Sequence, residues 1–231
     1  MSQPRSLKGE VTIVDLARRE RFVVRRSAET RAVVPSVELS APLDAQALLA
    51  RASQIGCGTT ALVIRACALA LKEVPRANGA YRDGRLELYS RVNIGVTLPA
   101  HGSLEIPTVL DADRKDAEQI EHELARFMQR ARDGLLSAPE LSGATFTLTD
   151  MHGLHADLRS PLIIAPQAAA LAAGPIREQP VVRDGQLMAG PTMLLTLAVD
   201  ARIMFGAHAA AFLGAIKQHL QRVSDPPAAG G

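Results

Sequence analysis

Near the C-terminus an apolar run, Thr192 to Val199, leads directly into Asp200-Ala201-Arg202-Ile203-Met204-Phe205-Gly206, and a helical pattern follows from Ala207 to Arg222. A run of that composition reads as a buried strand. The segment after it is then the turn on which a fold of this kind presents a catalytic group. That turn offers an acid, a fixed cation and a glycine, but no nucleophile and no general base.

The rest of the chain bounds what can surround this strand. With 231 residues, 47% of them apolar, it can bury a sizeable core. A net charge of +2 offers no strong field to nucleic acid or to an anionic membrane. Aromatics make up 3% with no Trp, which argues against base-stacking surfaces. No apolar run approaches the roughly 20 residues of a membrane span, and Met1 to Glu10 lacks a signal-peptide apolar region. Cys57 and Cys67 fall in one helical pattern and read as buried thiols. The expectation is a cytoplasmic protein with no nucleic-acid or membrane partner. The histidines show no paired metal spacing with further ligands nearby, so no metal site is expected.

The expected elements begin with a basic helix, Leu16 to Thr30, carrying Arg18, Arg19, Arg21, Arg25 and Arg26. Its arginines read either as an anion or CoA-phosphate contact or as a solvated face. Val33 to Leu43 alternates as a half-buried strand. Asp44 is placed as the cap of a helix to Ser53, and Thr59 to Glu73 as a helix buried on most faces. Arg82-Asp83-Gly84-Arg85 and Arg183-Asp184-Gly185 are hairpin signals. Val92 to Leu98, Ile106 to Leu110 and Ala144 to Thr149 read as strands. Asp116 to Asp133 is an amphipathic helix stopped by Gly134, and Ser137 to Leu141 a short helical turn. Ala168 to Pro175 registers only as small and apolar. About nine strands and five helices without strict alternation read as α+β. The expected organisation is a flexible arm over 1–9, one domain over 10–223, and a disordered tail over 224–231.

Several stretches, in order, resemble the catalytic domain of the dihydrolipoyl acyltransferases of 2-oxoacid dehydrogenase complexes. They are Val24-Arg25-Arg26-Ser27, Val92 to Val96, Ile106-Pro107, Gly134 to Leu141, Gly143 to Asp150, Ala165 to Ala168, Pro180-Val181-Val182 and Thr196 to Gly206. The resemblance runs from about Leu16 to Leu220. It implies a chloramphenicol acetyltransferase-like mixed sheet flanked by helices, acetyl-CoA as co-substrate, and a homotrimer with a channel between subunits. The absence of a lipoyl segment points to a stand-alone member acting on a small-molecule acyl acceptor, similar to tetronate-pathway acetyltransferases.

At the organising turn the family pattern is Asp-His-Arg-x-x-Asp-Gly. Asp200, Arg202 and Gly206 match, while Ala201 stands at the histidine and Phe205 at the second aspartate. The resemblance makes position 201 the place of the base, Thr149 the hydroxyl that helps hold the oxyanion, and Asp200 and Arg202 the residues that fix the loop. An alanine cannot take a proton, so Ala201 is either a natural departure or a base deleted by design. The expected function is a CoA-dependent O-acyltransferase without its base. The alternatives are a non-catalytic trimeric scaffold or regulatory subunit, and an enzyme turned to chemistry that needs no histidine.

Overall fold

A computed structural model of the chain describes residues 9, 11–16, 18–100, 103–154, 156–183 and 185–222. The expected tail over 224–231 and all of the expected arm except Gly9 lie outside them, as do His155 and Asp184. In chain order the elements are α1 (Arg18–Val33), β1 (Ser36–Asp44), α2 (Gln46–Ile55), α3 (Thr59–Glu73), β2 (Gly79–Arg82), β3 (Arg85–Leu88), β4 (Ile94–Val96), β5 (Leu98–Ala100), β6 (Ser103–Glu105), β7 (Thr108–Val109), α4 (Ala117–Arg132), β8 (Phe146–Asp150), β9 (Ala169–Ala173), β10 (Arg177–Arg183), β11 (Gln186–Asp200) and α5 (Ala207–Gln221). The α+β expectation holds, with eleven strands rather than about nine among the described residues.

One mixed sheet organises the chain in the order β1-β11-β9-β8-β4-β7, with β10 continuing beside the first half of β11. Strands β4, β8 and β9 run parallel, and the other pairings are antiparallel. The strand leading to the organising turn, β11, is the longest, and its second half is flanked by β1 and β9. Alternation sends Met193, Leu195, Leu197 and Val199 into the main core beneath the helices. Phe146 of β8 meets Phe212 of α5 edge to face, with centroids 5.9 Å apart, a geometry favoured by the ring quadrupoles. Helix α3 packs on both α4 and α5. It buries even Arg65, whose guanidinium donates to the Asp113 carbonyl at 2.8 Å.

The amphipathic helix is fixed at its start by a reciprocal cap. Asp116 accepts the Gln119 backbone N–H at 2.8 Å, and the Gln119 side chain accepts that of Asp116 at 3.0 Å. The sequence reads Asn78 to Asp83 as a loop where β2 stands, and it also misses β9, four alanines and a leucine, all buried. Alanine is a poor strand former by itself. Here the residues on either side decide, because β8 and β11 supply the ladder on both edges.

Two further local expectations change. The α2 cap position is Ala45, without a side-chain cap. Asp44 accepts the Gln46 N–H, but its carboxylate is mainly taken by Arg183, at 2.7 and 2.8 Å. That pair ties the β10–β11 hairpin back to the end of β1. Residues 137–141 form turns rather than helix, with Glu140 accepting from the Ser137 N–H and hydroxyl.

The ion pair has a consequence for pH. The Arg183 guanidinium, joined by the Gln46 N–H, holds the Asp44 carboxyl below its ordinary 3.8, and Arg91 does the same for Asp111. Such groups contribute stability that is present above about pH 4 and is lost as pH falls through their depressed range. The urea midpoint is expected to fall between pH 6 and pH 3, and Asp44→Asn is expected to shrink that fall. An equal fall in both proteins would count against the pair.

Candidate functional site

The turn after β11 is built from a local ion pair and four distant supports. Asp200, 2% exposed, accepts the Arg202 backbone N–H at 3.0 Å. It also takes the Arg202 guanidinium in a two-pronged bond, Nε to Oδ1 at 2.9 Å and a terminal nitrogen to Oδ2 at 2.6 Å. This fork geometry is the strong form of the Arg–carboxylate bond. The carboxylate in turn raises the Arg202 guanidinium above its ordinary range.

The guanidinium lies over the Tyr81 ring of β2, 4.4 Å from its centroid. Arg76 donates to the Ile203 carbonyl at 2.9 Å. The Ala201 N–H donates to the Pro35 carbonyl at 2.9 Å, and the Asp200 N–H to that of Ala168 at 2.8 Å. Ile203 and Met204 are buried, so the turn is anchored from beneath. Ala201 is half-buried, and Phe205 is 67% exposed. Gly206 takes a positive φ of 53° at the start of α5, which suits glycine. The resemblance makes Asp200 and Arg202 the residues that fix the loop, and the structure adds that they do so as an ion pair, with Tyr81, Arg76 and Pro35 as supports that the sequence did not indicate. The one available signal was that Tyr81 is one of two tyrosines in an aromatic-poor chain.

Thr149 is elsewhere. It lies opposite Ala172, which lies opposite Thr196 of β11. Phe146 and Leu148 of β8 enter the main core, so Thr147 and Thr149 face the other side of the sheet. Thr147 spends its hydroxyl on Gln167, at 2.7 Å. Ala201 follows Asp200, farther along β11 than Thr196. At about 3.3 Å per residue the two candidates are separated by roughly 16 Å along the strands, and by two strand spacings of about 4.8 Å across them. The four candidate residues therefore do not form one cluster within a chain. Asp200, Arg202 and Ala201 stand together beyond one end of β9, and Thr149 stands at its other end.

The other residues singled out are not at the turn's centre. His208 is exposed in the first turn of α5, and His152 is exposed after β8. Arg25 pairs with Glu29 on the solvent face of α1, and Arg21 donates to the Leu16 carbonyl. The side chains of Arg18, Arg19 and Arg26 lie outside those described. Burial pushes the Cys67 thiol up, which disfavours the thiolate, while Cys57, expected buried in the same helical pattern, is only half-buried between α2 and α3.

Residues 8–226 match the family described as 2-oxoacid dehydrogenases acyltransferase (catalytic domain). The chain belongs to this family. Among curated relatives, the succinyltransferase component of the 2-oxoglutarate dehydrogenase complex of Bartonella vinsonii subsp. berkhoffii is 39% identical over 154 residues. That match covers 66% of this chain and 37% of the relative. The acetyltransferase component of the pyruvate dehydrogenase complex of Staphylococcus aureus (strain Mu50 / ATCC 700699) is 31% identical over 215 residues, covering 87% of this chain and 50% of the relative. This acyltransferase-family chain thus spans between about a third and a half of the length of the curated relatives it matches.

Among solved structures, the dihydrolipoamide acetyltransferase of Azotobacter vinelandii superposes with a TM-score of 0.88 at 26% identity. The match covers 96% of this chain and 98% of that one. A chloramphenicol acetyltransferase superposes with a TM-score of 0.56 at 16% identity, covering 90% and 99%, a likeness of fold alone.

Proposed function

We propose that this chain forms a CoA-dependent acyl-transfer site between copies of itself, most simply in a trimer, with the proton-accepting position occupied by a methyl group. The observation that carries this reading is the intact Asp200–Arg202 fork, with its Tyr81 and Arg76 supports, around a half-buried Ala201. A turn with no remaining ligand to organise has no need of that framework. The Azotobacter vinelandii protein has a serine, a histidine and an asparagine whose roles in the catalytic mechanism have been investigated. At the spacing they have there, this chain carries Thr149, Ala201 and Phe205.

In the reaction proposed, an acceptor thiol or hydroxyl attacks the thioester carbonyl carbon of acyl-CoA. The acceptor's proton must leave as the new bond forms, and the carbonyl oxygen gains the negative charge. When the intermediate collapses, the C–S bond breaks and CoA takes up a proton. The Thr149 hydroxyl of one copy donates a hydrogen bond to the oxyanion. The Asp200–Arg202 turn of the next presents position 201 to the acceptor. As neither half is near the other within one chain, the site requires a second copy. With Ala201 the proton goes only to solvent, so this chain binds acyl-CoA and turns it over slowly.

A dihydrolipoyl thiol is the acceptor that the relatives' names favour, since they are dihydrolipoyllysine-residue acyltransferases. The hydroxyl of a small metabolite, such as a hydroxymethyl tetronate, is the finer expectation from the sequence, and it has no support from the relatives compared. A scaffold role without acyl-CoA is the second reading. It is favoured by the loss of both polar groups at positions 201 and 205.

Calorimetric titration with acetyl-CoA, alongside light scattering, separates the two. The proposal expects a trimer with saturable binding that Thr149→Val weakens only modestly. A trimer that ignores acetyl-CoA leaves the scaffold, and a monomer removes the site altogether.

A further inference from the structure

Phe205 stands where the resemblance places an aspartate, on the turn that carries Ala201, and it is 67% exposed. Ile203 and Met204 before it point into the core. An exposed phenyl ring is unusual in a chain with 3% aromatic residues. At the other half of the split site the same thing occurs. After Thr149 the chain turns back, with the His152 N–H donating to Asp150 at 2.8 Å and the Leu154 N–H to the Met151 carbonyl at 3.0 Å. That turn presents Leu154 at 53% exposure. Asp150 is also tied to the Thr60 hydroxyl of α3, so the turn is held from two sides.

Each half of the site thus carries a large apolar side chain facing solvent. Phe205 lies within about 14 Å of Ala201, since an extended chain spans at most ~3.6 Å per residue. Leu154 is folded back beside the strand end that bears Thr149. If position 201 of one copy meets Thr149 of the next, both apolar groups reach the same seam.

We propose that Phe205 of one copy packs on the Leu154 turn of the next copy, as an apolar lock on the junction where the split site forms. The occupant of this surface is a second copy of the chain. The proposal rests on the between-copies reading given above and deepens it. It also accounts for the loss of the polar group at position 205. A carboxylate there would lose solvation in the seam, whereas a phenyl ring gains by leaving water. The change turns a residue of the reacting turn into one that holds copies together.

The test is a charge swap followed by analytical ultracentrifugation across a dilution series. Phe205→Asp buries an unpaired carboxylate in the seam, and Leu154→Lys an unpaired ammonium. Each alone is expected to raise the concentration at which copies separate by about tenfold or more. In the double variant every seam brings the new aspartate against the new lysine, and association is expected to recover most of the loss. Both residues are exposed in the single chain, so circular dichroism should report unchanged folding.

An F205D variant that associates like the parent overturns the proposal. So does a double variant whose losses simply add. In both cases a parent trimer leaves the between-copies site standing. A parent chain that is monomeric at every concentration overturns both at once.

Discussion

Replacing Ala201 with histidine is expected to raise the rate of CoA release from acetyl-CoA by about 10²- to 10⁴-fold in the presence of an acceptor thiol, the usual contribution of a positioned general base. The framework that would aim the imidazole is in place. The Ala201 N–H is bonded to Pro35, Arg202 is forked on Asp200, and the carbonyl after it is held by Arg76. The new side chain would extend from a half-buried position on the turn. The gain should appear in kcat, with acetyl-CoA affinity little changed, because the base acts on the acceptor's proton. Chromatographic separation of free CoA from acetyl-CoA, with dihydrolipoamide compared with a panel of small alcohols, would also rank thiol against hydroxyl. A variant that binds acetyl-CoA and does not turn over with any acceptor would remove the acyl-transfer reading.

The second large effect is on stability. Arg202→Met is expected to cost about 3–5 kcal/mol, the range for removing one partner of a buried ion pair. The asymmetry is in the burial. Asp200 is 2% exposed, and without the guanidinium its carboxylate retains, among the described residues, only the backbone N–H of residue 202. The Arg202 side chain is a third exposed, so the opposite truncation, Asp200→Ala, should be milder. Urea midpoints would show the difference. The combination of Arg202→Met with Asp200→Asn should recover part of the loss by removing the stranded charge. If the double variant is no better than Arg202→Met alone, the Tyr81 stack rather than the ion pair holds the turn.

Much of the architecture was legible because it is locally determined. Helix α3 was read at its observed bounds, since Gly58 and Pro75 punctuate its continuous apolar pattern. The amphipathic face of α4 and both hairpin turns were equally explicit. Arg82 pairs with Arg85 and Arg183 with Gln186, as the Gly-containing turns required. What failed lacked a local signal. The five residues of β9 are a strand only because β8 and β11 lie on either side. The short β5–β6 hairpin was not separated from its surroundings.

The site divides the same way. Asp200 and Arg202 are two residues apart in a stretch that matches the family pattern, so their part in fixing the loop was legible, while their fork on each other came from the structure. Tyr81 and Arg76 reach the turn from the far side of the sequence, and no spacing announces them. The separation of Thr149 from Ala201 is a property of strand register, invisible until three strands are aligned.

That register has an arithmetic of its own. With the two halves at opposite ends of one sheet, each copy in the trimer proposed above would contribute its turn to one junction and its threonine to another. One altered subunit therefore touches two sites, and damage is counted in junctions rather than in polypeptides. Conversely, a chain damaged only at its turn and a chain damaged only at its threonine could, when mixed, rebuild an undamaged junction from their sound ends.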